Sequence, residues 1–226
     1  MSMVFYTCVS KHYRELIPLY KFCVQRVYPE AEVIINKEPF YPACQRFLKH
    51  IKGEYVHVTD ADILILPHEK THKEYYSQFE VHGCCYLRGA TEAGGETWTG
   101  DRARIAGGHV GFMPEYYDRT EIIRNEYRSG AIEDYREFDE VMLARILRES
   151  GYPIPDRAYT FPNGAKWDWE YRDLHIHDFA TMKFLKWKPD RDKIKALFSD
   201  LKFRSLTVDL SPYWRDLIHK IQTYAM

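Results

Sequence analysis

Residues 54–67 read EYVHVTDADILILP, an apolar run, two aspartates separated by one residue, and a second apolar run. Alternate side chains of an extended chain lie on one side, so we expect Asp60 and Asp62 to point the same way. Two carboxylates that close repel each other unless a cation or hydrogen-bond donors neutralise them. Because hard divalent ions take carboxylate oxygens, the stretch predicts a Mn²⁺ or Mg²⁺ site. A pair of solvated turn aspartates is the alternative, which the flanking apolar runs disfavour.

Strand-like and helix-like segments alternate before this stretch. They are a buried strand at 3–9 (MVFYTCV), an amphipathic helix at 13–28, a strand at 32–36 (EVIIN), a helix at 44–51 and a strand at 55–58. This β-α-β-α-β order predicts a parallel sheet covered by helices. Ligands of such sheets bind beyond the carboxyl ends of the strands. The aspartate pair and the end of the first strand, residues 7–11, are therefore expected at one edge.

The later segments are less regular. They are apolar or strand-like runs at 63–67, 84–88 and 105–113, an irregular Gly- and Thr-rich stretch at 89–104, a helix at 138–150, an alternating segment at 174–179 and two helices in the tail. An irregular stretch of that length is typical of a functional or disordered loop. Together the pattern predicts an α/β fold with a mixed, mostly parallel central sheet flanked by helices. We expect one domain over residues 1–226, with 190–226 as a C-terminal helical extension packed on it.

The bulk composition excludes several classes of protein. Among 226 residues, 32 are basic and 33 acidic, so a general nucleic-acid binder is not expected. The five cysteines lack C-x-x-C spacing, which argues against a disulfide framework or a zinc site. Neither a secretory signal nor an apolar run of about 18 residues is present, so no transmembrane helix is expected. These features predict a protein of the reducing cytoplasm.

The motifs in this order resemble the GT-A glycosyltransferases, most closely glycosyltransferase family 8, the glycogenin-like and galactosyltransferase-like group. Members carry an aromatic-x-x-Arg-Phe-Leu-like helix before the strand and the Asp-x-Asp, and residues 41–48 here read YPACQRFL. The resemblance implies a Rossmann-like nucleotide-diphospho-sugar transferase fold in which Asp60 and Asp62 bind the metal and one of them also contacts the ribose. It implies that Arg46 lies near the donor sugar or pyrophosphate. A surface position on an amphipathic helix is the alternative for Arg46.

Residues 105–113 (IAGGHVGFM) resemble the Asn-Ala-Gly-Val-Met segment of the family. Gly107 stands where the family usually has asparagine or another polar residue. The resemblance implies that the backbone of Gly107 and Gly108 approaches the sugar closely, which glycine permits. Glycines that serve only a strand bulge are the alternative.

Residues 137–140 (EFDE) resemble the Asp-Gln pair of the family at the start of a helix. The resemblance implies that Asp139 or Glu140 faces the reacting sugar, and in inverting enzymes an acidic residue there draws the proton from the acceptor hydroxyl. Acidic residues also favour a helix N-terminus through the helix dipole, which is the alternative. Resemblance to family 8 favours retention of configuration, so the stereochemical outcome stays open.

Residues 175–179 (HIHDF), with Lys183, resemble the family's His-Phe-x-Gly-x-x-Lys-Pro-Trp motif. The spacing from His177 to Lys183 matches, whereas the glycine and the Pro-Trp pair are missing. The resemblance implies that His177 is the third metal ligand and that Lys183 contacts a phosphate. His175 is the alternative ligand, because alternation places it on the same face.

The reaction implied is hexosyl transfer from a UDP- or GDP-sugar donor to a saccharide or other glycan acceptor, with Thr7, Cys8 and Tyr13 forming the base and ribose pocket. One alternative is a non-catalytic nucleotide-sugar-binding domain on the same fold. Another is a phosphatase of the haloacid dehalogenase type, whose first aspartate is a nucleophile and whose second is a general acid. Leu64 stands where that motif usually has Thr or Val, and a complete β-α-β-α unit precedes it.

Overall fold

The computed structural model describes residues 3–37, 55–67, 81–85, 105–112, 174–176 and 191–226. The strands are β1 (Met3–Cys8), β2 (Glu32–Asn36), β3 (Tyr55–Thr59), β4 (Ile63–Leu64), β5 (Val81–Cys85), β6 (Ile105–Phe112) and β7 (Leu174–His175). The helices are a 3-10 helix (Lys11–Leu16), α1 (Ile17–Val27), α2 (Arg191–Ser199), α3 (Leu201–Val208) and α4 (Pro212–Ala225). The predicted helices at 44–51 and 138–150 and the irregular stretch at 89–104 lie outside these residues. No helix in the described ranges is long and apolar enough to cross a membrane.

The larger sheet has five strands in the order β2-β1-β3-β6-β5. Strand β1 pairs in parallel with both β2 and β3, as the alternating pattern predicted. Strand β6 runs antiparallel to β3 and to β5, so among the described strands the parallel part comprises β2, β1 and β3. The sheet is mixed, as predicted, but within the described ranges it is less parallel than expected. The regular strand-helix alternation that enforces parallel pairing ends near residue 60.

The helix predicted over residues 13–28 is divided into a 3-10 turn and an α-helix. The 3-10 helix covers Lys11–Leu16, and α1 begins at Ile17 with Pro18 in its first turn. Proline has no backbone N–H and its φ angle suits the start of a helix, so the α-helical hydrogen bonds begin there. The apolar periodicity therefore identifies the helical segment, whereas the proline sets the start of the α-helix.

The first strand is buried along its whole length, which is typical of a strand covered on both faces. On one face, the Phe5 ring stacks on His57 with centroids 4.4 Å apart and on Tyr28 at 5.4 Å. Helix α1 covers this face with its buried residues Leu19, Tyr20, Cys23 and Val24. Next to them, the Tyr20 hydroxyl and the Thr59 hydroxyl share a hydrogen bond of 2.6 Å at the end of β3.

The tail contains three helices rather than the predicted two. The Asp200 side chain accepts hydrogen bonds from the backbone N–H groups of Lys202 at 2.9 Å and Phe203 at 3.2 Å. Asp200 is therefore the N-cap of α3, and it separates α2 from α3. Apolar periodicity alone does not show this break. Buried side chains of the three helices join the same hydrophobic core as α1, and so does Leu210 between α3 and α4; the helical residues are Ile194, Leu197, Phe198, Phe203, Trp214, Leu217, Ile218, Ile221 and Ala225.

We predict that Tyr20→Phe lowers the free energy of unfolding by about 1–3 kcal/mol, because the Thr59 hydroxyl would stay buried without this partner. Urea denaturation measures the change. Tyr213→Phe removes the same hydroxyl from a side chain that is 54% exposed, and its effect should stay within about 0.5 kcal/mol. Adding Thr59→Val to Tyr20→Phe should restore much of the loss, since both polar partners are then gone. Equal effects of the two tyrosine substitutions would contradict the assignment.

Candidate functional site

The parallel strands end together at one edge of the sheet. The register pairs Cys8 with Asn36 and Tyr6 with Val58, and Asp60 directly follows the end of β3. The backbone register therefore confirms the prediction that the end of β1 lies near the end of β3, the strand that the aspartate pair follows. This carboxyl edge is where sheets of this kind bind ligands.

The two aspartates lie in a tight turn between β3 and β4, where an extended chain was predicted. The Ile63 N–H donates to the Asp60 carbonyl oxygen at 3.3 Å and closes the turn. Aspartate is favoured at the first position of such turns. The turn is nevertheless not solvated: Asp62 is only 2% exposed, Asp60 is half-buried, and the following residues 63–66 are all buried. A carboxylate is thus held inside the protein rather than in water.

A segment from late in the chain lies against this turn. Strand β7 pairs with β4, which places His175 opposite Ile63. The Ile176 N–H donates to the Asp62 carbonyl oxygen at 2.9 Å. Ile176 immediately precedes His177 in the sequence. The backbone of the His-rich segment therefore touches the backbone of the aspartate pair.

The two glycines that the sequence singles out belong to β6. Thr59 is paired with His109, so the antiparallel β6 continues through Gly108 and Gly107 beyond the carboxyl end of β3. The register between β5 and β6 shifts there, from His82 opposite Gly111 to Cys84 opposite Ala106. Residues 107–110 bulge against a single residue of β5. Bulges recur beside active sites, so the bulge and a binding role are compatible.

The side chains near the end of β1 point to both faces of the sheet. Thr7 is completely buried and lies on the same face as Phe5, the face covered by α1. Its hydroxyl has no hydrogen-bond partner among the described residues. On the other face, the Tyr6 phenol oxygen accepts a hydrogen bond from the Cys8 thiol at 3.6 Å and one from the Asn36 amide at 3.2 Å. Asn36 is not among the site residues predicted from the sequence, although its signal is a polar residue at the end of the apolar strand EVIIN, next to β1.

Tyr13 lies in the 3-10 helix that follows β1 and is half-buried. Its ring packs on Trp214 of α4, with centroids 5.2 Å apart and planes at 57°. The Trp214 indole N–H donates to the His12 carbonyl oxygen at 3.0 Å. These contacts link α4 to the segment predicted to bind a nucleotide. No local sequence pattern predicts them.

Five of the predicted site residues lie outside the described part of the chain: Arg46, Asp139, Glu140, His177 and Lys183. Within the described ranges, no group of three His, Cys, Asp or Glu side chains is present that could hold a metal ion. The two carboxylates that are described suit a hard cation, because one is buried and both are acidic oxygen donors. The donor chemistry therefore fits Mn²⁺ or Mg²⁺, with a third ligand needed from elsewhere.

No protein family and no curated protein matches the sequence. The solved structures that are similar in part include two glycosyltransferases. A glycosyltransferase involved in the glycosylation of the major capsid of PBCV-1 aligns with 70% of this chain and 79% of its own, at 13% identity and a TM-score of 0.42. The apo-form glycosyltransferase GlyE of Streptococcus pneumoniae TIGR4 aligns with 99% of this chain at 13% identity and a TM-score of 0.39, and the chain spans 64% of GlyE.

Proposed function

We propose that the chain is a metal-dependent glycosyltransferase that moves a sugar from a nucleoside diphosphate sugar to a saccharide or other glycan acceptor. The observation that carries the proposal is the hydrogen bond of 2.9 Å from Ile176 to the Asp62 carbonyl. It joins two segments that are far apart in sequence and that the motif assigns to one metal site. Asp60 and Asp62 supply two ligands, and His177, the residue after Ile176, supplies the third, with His175 as the alternative.

The burial of Asp62 supports a cation at this position. A carboxylate inside a protein is stabilised by nearby positive charge. Asp62 is 2% exposed, and the half-buried Asp60 is two residues away, so the charges of the pair favour a positive ion between them. When bound, Mn²⁺ or Mg²⁺ supplies positive charge to the diphosphate that leaves as the glycosidic bond breaks.

The remaining assignments give the chain's own residues the task of binding and orienting the donor. A UDP- or GDP-sugar lies at the carboxyl edge of the sheet, with its base and ribose against Cys8 and Tyr13. Thr7 is completely buried and supports this strand end from beneath α1. The sugar approaches the backbone of Gly107 and Gly108 closely, because glycine has no side chain to prevent it. The charged residues act around the donor: Arg46 and Lys183 at its phosphates, and Asp139 or Glu140 facing the sugar, as base if the transfer inverts.

The test is to incubate the protein with Mn²⁺, a panel of nucleotide sugars and a mixture of saccharide acceptors, and to measure free nucleotide. We expect release from one donor class that falls by about two to three orders of magnitude with a chelator, because the metal contributes several kcal/mol to leaving-group stabilisation. Adding Mn²⁺ back should restore it. Tight binding without turnover would instead indicate a binding domain, and phosphate release from phosphomonoesters would indicate a phosphatase.

A further inference from the structure

The segment that follows β1 is held from two sides. We call residues 9–16 the β1 loop. On one side the Arg14 guanidinium donates to the Lys37 carbonyl oxygen at 3.0 Å, which ties the loop to the end of β2. On the other side the Trp214 indole N–H donates to the His12 carbonyl oxygen at 3.0 Å. The loop is therefore bound both to the sheet edge and to the C-terminal helix.

A further contact joins Glu15 to the start of α4 through two hydrogen bonds. One carboxylate oxygen of Glu15 accepts from the Ser211 backbone N–H at 2.6 Å, and the other accepts from the Ser211 hydroxyl at 2.7 Å. Ser211 is the N-cap of the 14-residue α4, so the Glu15 carboxylate lies at the positive end of the helix dipole, beside N–H groups that have no partner within the helix. Hydrogen bonds to an ionised acceptor are about twice as strong as neutral ones. The β1 loop is thus anchored to the first turn of α4.

The same turn orients an aromatic side chain of the β1 loop. Tyr13 packs on the buried Trp214, which in turn contacts Tyr213 with centroids 5.1 Å apart. Because Trp214 is fixed both by burial and by its hydrogen bond to the loop, it restricts where the Tyr13 ring can lie. A pocket whose walls are ordered before the ligand arrives binds more tightly, since less side-chain and loop freedom is lost on binding.

We propose that the first turn of α4 positions the nucleotide-binding loop: Glu15, Ser211 and Trp214 hold the β1 loop in the conformation that receives the base and ribose of the donor. This inference rests on the proposed function, because it assumes that Tyr13 and its neighbours bind the nucleoside. The three residues act through the loop, not on the reacting atoms. They should govern donor affinity and leave the chemical step unchanged.

The experiment uses Glu15→Gln, which removes the charge, Ser211→Ala, which removes the hydroxyl, and Trp214→Phe, which removes the indole N–H together with the five-membered ring of a buried side chain. UDP and GDP are titrated calorimetrically in Mn²⁺, and KM and kcat are measured for the donor. We expect the Kd of the preferred nucleotide and the donor KM to rise about 5- to 10-fold, with kcat within about twofold of the original chain. Ser211→Thr keeps both donors to Glu15 and should restore the original affinity.

The matched control is Ile221→Val, which trims a fully buried side chain farther along α4. It should lower the melting temperature without changing nucleotide Kd. If the original chain binds and turns over a nucleotide sugar while the three variants change only the melting temperature, or lower kcat instead of affinity, the positioning role is wrong and the proposed function stands. If the original chain neither binds a nucleoside diphosphate nor releases one, both proposals fail.

Discussion

Asp62→Asn is expected to reduce nucleotide-sugar turnover by about two to three orders of magnitude while the chain stays folded. Asp62 is 2% exposed in the turn between β3 and β4, and its carbonyl oxygen is held by Ile176. The substitution keeps the side-chain shape and removes one negative charge from the proposed metal site. A metal that stabilises the leaving group contributes several kcal/mol, and each 1.36 kcal/mol corresponds to tenfold in rate. Released nucleotide measures turnover, and circular dichroism checks the fold.

Melting temperatures separate a lost ligand from a damaged fold. Mn²⁺ at about a hundredfold its Kd stabilises the folded chain by about 2.7 kcal/mol. For a chain of this length, that corresponds to a rise of about 5–10 °C in melting temperature. We expect this rise in the original chain and not in Asp62→Asn. Asp216→Asn makes the same change on the exposed face of α4 and should keep both turnover and the Mn²⁺ response. A persisting Mn²⁺ response in Asp62→Asn would remove this residue from the site.

Local patterns in the sequence were enough to predict the parallel part of the sheet. The largely apolar run MVFYTCV predicts β1, and EVIIN predicts β2 with the bounds that the structure has. The helical periodicity between them identifies the crossover that parallel strands need. The ends of β1 and β3 consequently fall at one edge, and the aspartate pair with them. This much follows from neighbours in sequence.

Other features depended on contacts that no local pattern encodes. The direction of β6 is set by its pairing with β3, and glycines in the segment carry no information about direction. The hydrogen bond from Ile176 to Asp62 joins segments far apart in the chain, and only the family motif suggested their proximity. No motif suggested the contact between Tyr13 and Trp214, so residues 190–226 were predicted only as a helical extension. Capping by Asp200 sets the start of α3, and Pro18 sets the start of α1. Apolar periodicity does not locate either helix boundary.

Phe203→Ala is expected to be the most destabilising single substitution proposed for this chain. Phe203 of α3 is fully buried, and its ring contacts Phe198 of α2 at 5.0 Å and Phe22 of α1 at 6.3 Å between centroids. One ring therefore joins two C-terminal helices to the helix that covers the sheet. Truncating a buried phenylalanine to alanine costs about 3–5 kcal/mol, against a typical total stability of about 5–15 kcal/mol. The melting temperature should fall by about 6–20 °C.

The control lies two residues away on the same helix. Leu201 is 78% exposed, so Leu201→Ala should change the free energy of unfolding by no more than about 0.5 kcal/mol. Because the buried side chains of α2, α3 and α4 share one core with α1, Phe203→Ala should shift a single cooperative transition seen equally by far-ultraviolet circular dichroism and tryptophan fluorescence. Two separate transitions, only one of them moved, would show that the C-terminal helices unfold as an independent unit. In that case the anchoring of the β1 loop by α4 would not depend on the stability of the sheet. On heating, the Phe203→Ala chain would then lose nucleotide affinity before the sheet unfolded.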